Sequence, residues 1–283
     1  MKFTLSILAT IIHLSIKAQT AFEIKISGKG DPVIFLPGFG TPGSVWDETI
    51  STLKGNHEYH QLTYAGFNGL APIDTPWYHQ IKIDLFDYVA KNKSSNIKLV
   101  GHSMGGNLAL ELAKKFPQKI NRIMLIETLP CIRELMMPGV PASMITYNSP
   151  YNKQMLGSSA EEWEMYIHRF SDNMTFDEAK RDQIFQWAKN ADKKTYVYGY
   201  TDLLKLDQRT LLEDIEIETW ILVASFPDAS TAIETMKDQF KNLERKIIYQ
   251  VENSRHFIMF DQPEWLSEKI IEFLSNNELG IKK

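Results

Sequence analysis

The chain has 283 residues and a single cysteine, Cys131. An intramolecular disulfide is therefore excluded, and so are thiolate metal fingers and clusters. It also lacks an excess of positive charge. Lys and Arg number 31 against 35 Asp and Glu, a net charge of −4. Binding a phosphate backbone needs a concentrated basic face, so nucleic acid is excluded as the main partner. There is no internal repeat, no low-complexity tract and, beyond the first twenty residues, no apolar run long enough to span a membrane. What is present is ordinary globular composition. Apolar residues are 43% and charged residues 23%, which excludes general disorder. The length suits one large domain or two small ones, with a core that needs no covalent staples.

Residues 1–20 read as a secretory signal peptide. Lys2 supplies the positive start, and residues 3–16 form an apolar run interrupted only by Thr4, Ser6, Thr10, His13 and Ser15. Lys17-Ala18-Gln19 ends it with a small residue available for cleavage. The run is shorter than the ~20 residues of a comfortable span. A buried N-terminal helix is the alternative. The positive start and the switch to strand pattern at Phe22 favour the signal. Cleavage near residues 18–21 would remove Lys2 and Lys17 and no acid, taking the net charge to −6. The expectation is an exported protein, periplasmic or secreted, without a stable membrane span after signal removal and of open oligomeric state.

After residue 20, strand and helix patterns alternate. Residues 22–26 alternate with period two, whereas 33–36 and 97–100 are short continuous apolar runs, the signature of strands buried on both faces. Further strands are expected at 59–64, 122–126, 220–223 and 246–251. Helices are expected at 77–91, where Ile81, Leu85, Tyr88 and Val89 share a face, at 104–116, closed by Pro117, and at 264–274. This order implies a mostly parallel sheet with helices on both faces. Between 131 and 212 strand signals fade, prolines cluster and Met, Trp and Tyr become frequent, with helical patterns at 161–170 and 176–190. That segment reads as a helical insertion, giving a core of 21–130 and 213–283.

The strongest chemical signal is Gly101-His102-Ser103-Met104-Gly105-Gly106, between a buried strand and a helix. A serine at so tight a turn needs small residues two positions to either side, and the turn lifts its hydroxyl clear of the sheet. It also sets the serine at the helix N-terminus, where the Met104 N–H points at any developing oxyanion. A glycine-rich packing turn is the bland alternative.

On this motif in this setting, the chain resembles the α/β-hydrolase superfamily, in its serine lipase/esterase-like branch with a helical cap, over roughly residues 22–276. The resemblance implies a mostly parallel sheet of about seven strands, a nucleophile at Ser103 and a helical cap over 131–212. It implies an oxyanion loop at Pro37-Gly38-Phe39-Gly40, where most relatives carry His-Gly; the N–H of Phe39 would join that of Met104. It implies a base at His256, in the loop after strand 246–251. His102 competes, but the residue before the serine normally points into the supporting structure. The acid is Asp228 by alignment, although Ser225 replaces the usual glycine; Glu127, directly after strand 122–126, is the rival. Asp228 is preferred because consecutive parallel strands are usually neighbours, so that Glu127 would have to reach across. Of the other histidines, His57, His60 and His79 lie in surface-like segments and His168 on the face of a helix.

The implied activity is hydrolysis of a small acyl or aromatic ester through a Ser-His-Asp triad and an acyl-enzyme, a carboxylic ester hydrolase acting on a small molecule, with no metal and no organic cofactor. An aminopeptidase or amidase of the same fold, with Glu161, Glu162 or Glu164 holding a free amino terminus, and a non-catalytic small-ligand receptor remain open. A halide-releasing relative would need aspartate at 103. Met136, Met137, Met144, Met155, Trp163, Met165 and Tyr166 suggest an apolar roof over the pocket or the cap's own core.

Overall fold

A computed structural model describes residues 20–275. The signal-peptide expectation for residues 1–20 falls almost wholly outside them. Among the described residues, no helix is long and apolar enough to cross a membrane.

Seven strands form one sheet: β1 (Phe22–Gly28), β2 (Asp31–Leu36), β3 (His57–Tyr64), β4 (Ile97–His102), β5 (Ile120–Ile126), β6 (Glu218–Val223) and β7 (Lys246–Gln250). Their spatial order is β1-β3-β2-β4-β5-β6-β7. Only β1 runs antiparallel, pairing with β3; all other pairs are parallel. The expected strand count and mostly parallel arrangement are both found.

The continuous apolar runs are the central strands, because both of their faces are covered. On β2, Ile34 and Leu36 enter one core and Val33 and Phe35 the other. β4 and β6 divide likewise, with Leu99 and Ile221 on the first side and Val100, Trp220 and Leu222 on the second. Successive side chains point to opposite faces of a strand, so one short run feeds two cores. Each fully buried side chain of this size contributes about 1.5–3 kcal/mol relative to exposure.

α2 (Trp77–Lys91) and α3 (Met104–Lys115) cover the first core, and α1 (Asp47–Thr52) packs against the second through Ile50. α3 lies against β4 and β5, burying Leu108 and Leu112, and stops before Pro117. Between β5 and β6 the chain forms no strand. It runs through α4 (Ile132–Met136), α5 (Pro150–Gly157), α6 (Ala160–Ser171), α7 (Glu178–Lys189) and α8 (Lys193–Lys205). Ser159 and Glu162 close a reciprocal capping box on α6, which fixes its start. Asp177 and Asp192 cap α7 and α8 through Lys180 N–H and Thr195 N–H. α9 (Ala229–Gln239), α10 (Ile258–Asp261) and α11 (Pro263–Ser275) complete the chain. α11 covers the second core with Leu266, Ile270, Phe273 and Leu274, all on one stripe.

Candidate active site

Ser103 stands between the C-terminal end of β4 and the first residue of α3 with φ 53° and ψ −122°, outside the regions open to ordinary residues. The surrounding glycines make that possible. A Cβ on Gly101 would lie 2.6 Å from the Gly105 carbonyl oxygen, and one on Gly105 would lie 2.1 Å from that of Leu36. The turn is pinned by Ser103 N–H donating to the Ile126 carbonyl at 2.9 Å and by the Thr128 hydroxyl donating to the Ser103 carbonyl at 3.1 Å. Although Ser103 occupies the cap position of α3, its hydroxyl caps nothing.

The loop after β2 closes on this turn. A Cβ on Gly38 would lie 2.9 Å from His102 Nδ1, so only glycine lets the backbone approach the turn so closely. Phe39 follows, its ring packed edge-on against Phe67, Trp77 and Tyr196 at centroid distances of 5.0, 5.6 and 5.1 Å. This anchoring holds the loop's backbone toward Ser103. The Met104 N–H opens α3 and so has no acceptor within the helix.

His102 is fully buried, and its Nε2 donates to the His256 carbonyl at 2.9 Å. Burial, with the His256 imidazole beside it, pushes its pKa well below the ordinary histidine value, so the ring is neutral. As expected, it points into the supporting structure, and it holds the His256 backbone. The His256 loop is tied down twice more. Ser225 N–H donates to the Ser254 carbonyl at 3.2 Å, and Arg255 N–H donates to Asp261 Oδ2 at 2.7 Å.

The expected acid requires a correction. Asp228 does not meet His256. It is the exposed N-cap of α9 and accepts from Thr231 N–H at 2.9 Å, a bond that holds its carboxyl below the usual range. Glu127 takes the place beside the histidine, with Oε2 3.5 Å from His256 Nδ1. The reach across β6 is bridged by β6 itself. Glu127 N–H donates to the Leu222 carbonyl at 3.0 Å, and Glu127 Oε1 accepts from Ala224 N–H at 2.7 Å. Its φ of 48° lies in the left-handed region, a strained setting for a residue with a side chain.

Gly38, Phe39, Ser103, Met104, Glu127 and His256 all line one cavity of about 890 Å³. The helical segment supplies the opposite wall. Met136, Met137, Met144, Met155 and Tyr166 contribute to it as expected. Trp163 and Met165 do not: Trp163 is buried against Tyr166, and Met165 is half exposed on the outer side. His168 pairs with Asp172 on the surface. Of the candidate acids for a free amino terminus, Glu162 is spent on the capping box and Glu164 on Lys189. Neither these two nor Glu161 lines the cavity. His60, expected in a surface-like segment, is buried and paired with Glu58 at 2.8 Å. The sequence reading missed α8, whose Tyr196 and Tyr200 line the cavity beside Phe39. Asp192 before Thr195, with two tyrosines one helical turn apart, is the signal that marks it. Among the described residues no cluster of three or more His, Cys, Asp or Glu could hold a metal.

Comparison with known proteins gives the family and the fold. A Mycoplasma genitalium protein named as an esterase/lipase is 24% identical over 91% of this chain and 94% of its own. A pimeloyl-[acyl-carrier protein] methyl ester esterase of Shewanella woodyi is 25% identical, over 51% of this chain and 56% of that one. The esterase from Exiguobacterium antarcticum superposes with a TM-score of 0.75 at 17% identity, covering 90% of this chain and 96% of that one. The model of the alpha/beta hydrolase family matches residues 33–269, and the chain belongs to that family.

Proposed function

We propose that the protein is a carboxylic ester hydrolase working through Ser103, His256 and Glu127. One observation carries the reading. Ser103 and His256 line the same cavity, and His256 Nδ1 faces the Glu127 carboxylate at 3.5 Å. The esterase names of the relatives support the ester class.

Free serine is too weak an acid to attack a carbonyl unaided. In the proposed cycle Ser103 Oγ attacks the acyl carbon while His256 takes its proton. His256 returns that proton to the leaving alcohol, and an acyl-enzyme remains. Water, deprotonated by the same imidazole, then releases the carboxylic acid and restores Ser103. Glu127 holds the imidazole tautomer and balances its transient charge. The N–H groups of Phe39 and Met104 receive the oxyanion, each worth about 3 kcal/mol by analogy with donor deletions.

The test is a screen of the purified protein across ester chain lengths and amides, with Ser103→Ala alongside. Ester turnover lost in the variant supports the reading; turnover of amides alone replaces it with a peptidase or amidase. Export completes the proposal: the native protein should have an intact mass that starts near residue 20, and recovery of the full chain would refute this part.

A further inference from the structure

The cavity has one unmatched charge. Glu127 and Arg169 are its acidic and basic lining residues, histidines aside, and both Glu127 oxygens have partners. Arg169, on α6, is an exposed residue that lines the cavity and forms no ion pair or hydrogen bond among the described residues. Tyr166 stands one turn earlier on the same helix and lines the same cavity, so the two side chains share a face. The Tyr166 hydroxyl pairs with that of Tyr151, another lining residue. Tyr196 is 4% exposed, yet its hydroxyl has no hydrogen-bond partner among the described residues. Burial keeps the Tyr166, Tyr196 and Tyr200 phenols above their ordinary pKa, so they remain protonated donors at neutral pH.

The Arg169 guanidinium and the Tyr196 hydroxyl are donors with no acceptor among the described residues. A plain hydrocarbon would leave the buried Tyr196 hydroxyl unmet, a costly state for a buried polar group, and would offer the Arg169 guanidinium no counter-charge. A carboxylate is acceptor-only, takes several donors at once and matches the planar fork of an arginine. A single guanidinium balances one negative charge, which favours a carboxylate over a dianionic phosphate. The methionines on the rest of the wall suit methylenes between the two polar ends.

Building on the proposed esterase reading, we infer that the cavity selects esters carrying a second, ionised carboxylate remote from the scissile bond, received by Arg169 and Tyr166. The test compares methyl alkanoates with monomethyl esters of α,ω-diacids of equal chain length, such as methyl octanoate and monomethyl suberate. The wild type should favour the diacid hemiester in kcat/KM by about tenfold at one chain length or more. Arg169→Gln should lower that ratio about tenfold, Arg169→Lys should retain part of it, and Tyr166→Phe should lower it a few-fold. A wild-type ratio at or below one for every length, or a ratio that Arg169→Gln leaves unchanged, overturns the inference. Failure of the esterase reading looks different: neither series is turned over and a fluorophosphonate leaves Ser103 unlabelled. Calorimetric titration of the Ser103→Ala protein with octanoate then decides the anion site. Binding weakened about tenfold by Arg169→Gln upholds it, and equal binding removes it.

Discussion

Glu127 Oε2 lies 3.5 Å from His256 Nδ1, although the two residues leave strands that are not neighbours. β6 stands between β5 and β7, and Ala224 at its end holds the other Glu127 oxygen. The carboxylate is thus fixed by one backbone N–H and aimed by it. Glu127→Gln keeps the size and removes the charge, so kcat for ester hydrolysis should fall by ~10²–10⁴ with folding retained. Asp228→Asn should leave kcat within about twofold, since asparagine caps α9 as well as aspartate does. Steady-state kinetics on both variants checks this; the reverse pattern would restore Asp228.

How far this was legible from the chain follows from the kind of signal each residue leaves. Short apolar runs at 33–36 and 97–100 can be satisfied only between two cores, so the central strands were readable. Ser103 was readable because its turn demands glycines at 101 and 105, which local sequence displays. The acid was not readable in this way. Asp228 has the right position in the chain order, but its carboxylate is used locally on Thr231 N–H, a competition that becomes visible only once α9 begins at Ala229. Glu127 depends on a hydrogen bond from a residue 97 positions away, which leaves no local trace. Tyr196 and Tyr200 were missed for a similar reason. α8 packs its tyrosines toward Phe39 and so lacks a plain apolar stripe.

A serine probe separates nucleophile from base. Fluorophosphonate labelling should vanish in Ser103→Ala. His256→Ala should lower kcat by ~10³–10⁶ while the thermal midpoint moves little, because His256 is partly exposed and leaves no large cavity. A His102 substitution that abolishes labelling while His256→Ala does not would reassign the base.

A glycine of the turn and one outside it differ sharply in what they tolerate. A Cβ on Gly105 would lie 2.1 Å from the Leu36 carbonyl oxygen, backbone of a central strand that cannot give way. Gly105→Ala should therefore cost ~1–3 kcal/mol or more and lower activity together with stability. Gly157 ends α5 with nothing within 4 Å of an added Cβ. Gly157→Ala should be neutral or stabilise by up to about 1 kcal/mol. Urea unfolding of both proteins measures the contrast; equal midpoints would mean that the turn is looser than its contacts indicate.

Stability should fall in mild acid, with His102 as one identifiable cause. Burial holds its folded-state pKa well below the ordinary value of 6.5. Below that value the unfolded chain binds a proton that the folded protein refuses, so the unfolded state gains relative to the native one as pH drops. The contribution of His102 is thus complete above about pH 6.5 and is lost as pH falls through and below it, at up to ~1.4 kcal/mol per pH unit until the folded pKa is reached. His57 and His60 are lowered too and act in the same direction, so the wild-type slope alone does not isolate His102. The variant His102→Gln does, since glutamine keeps an amide able to donate toward the His256 carbonyl and cannot titrate. Urea unfolding between pH 8 and pH 5 should give a shallower acid loss for His102→Gln than for the wild type, the difference opening only below about pH 6.5. Parallel curves across that range would mean that the folded protein accommodates the His102 imidazolium.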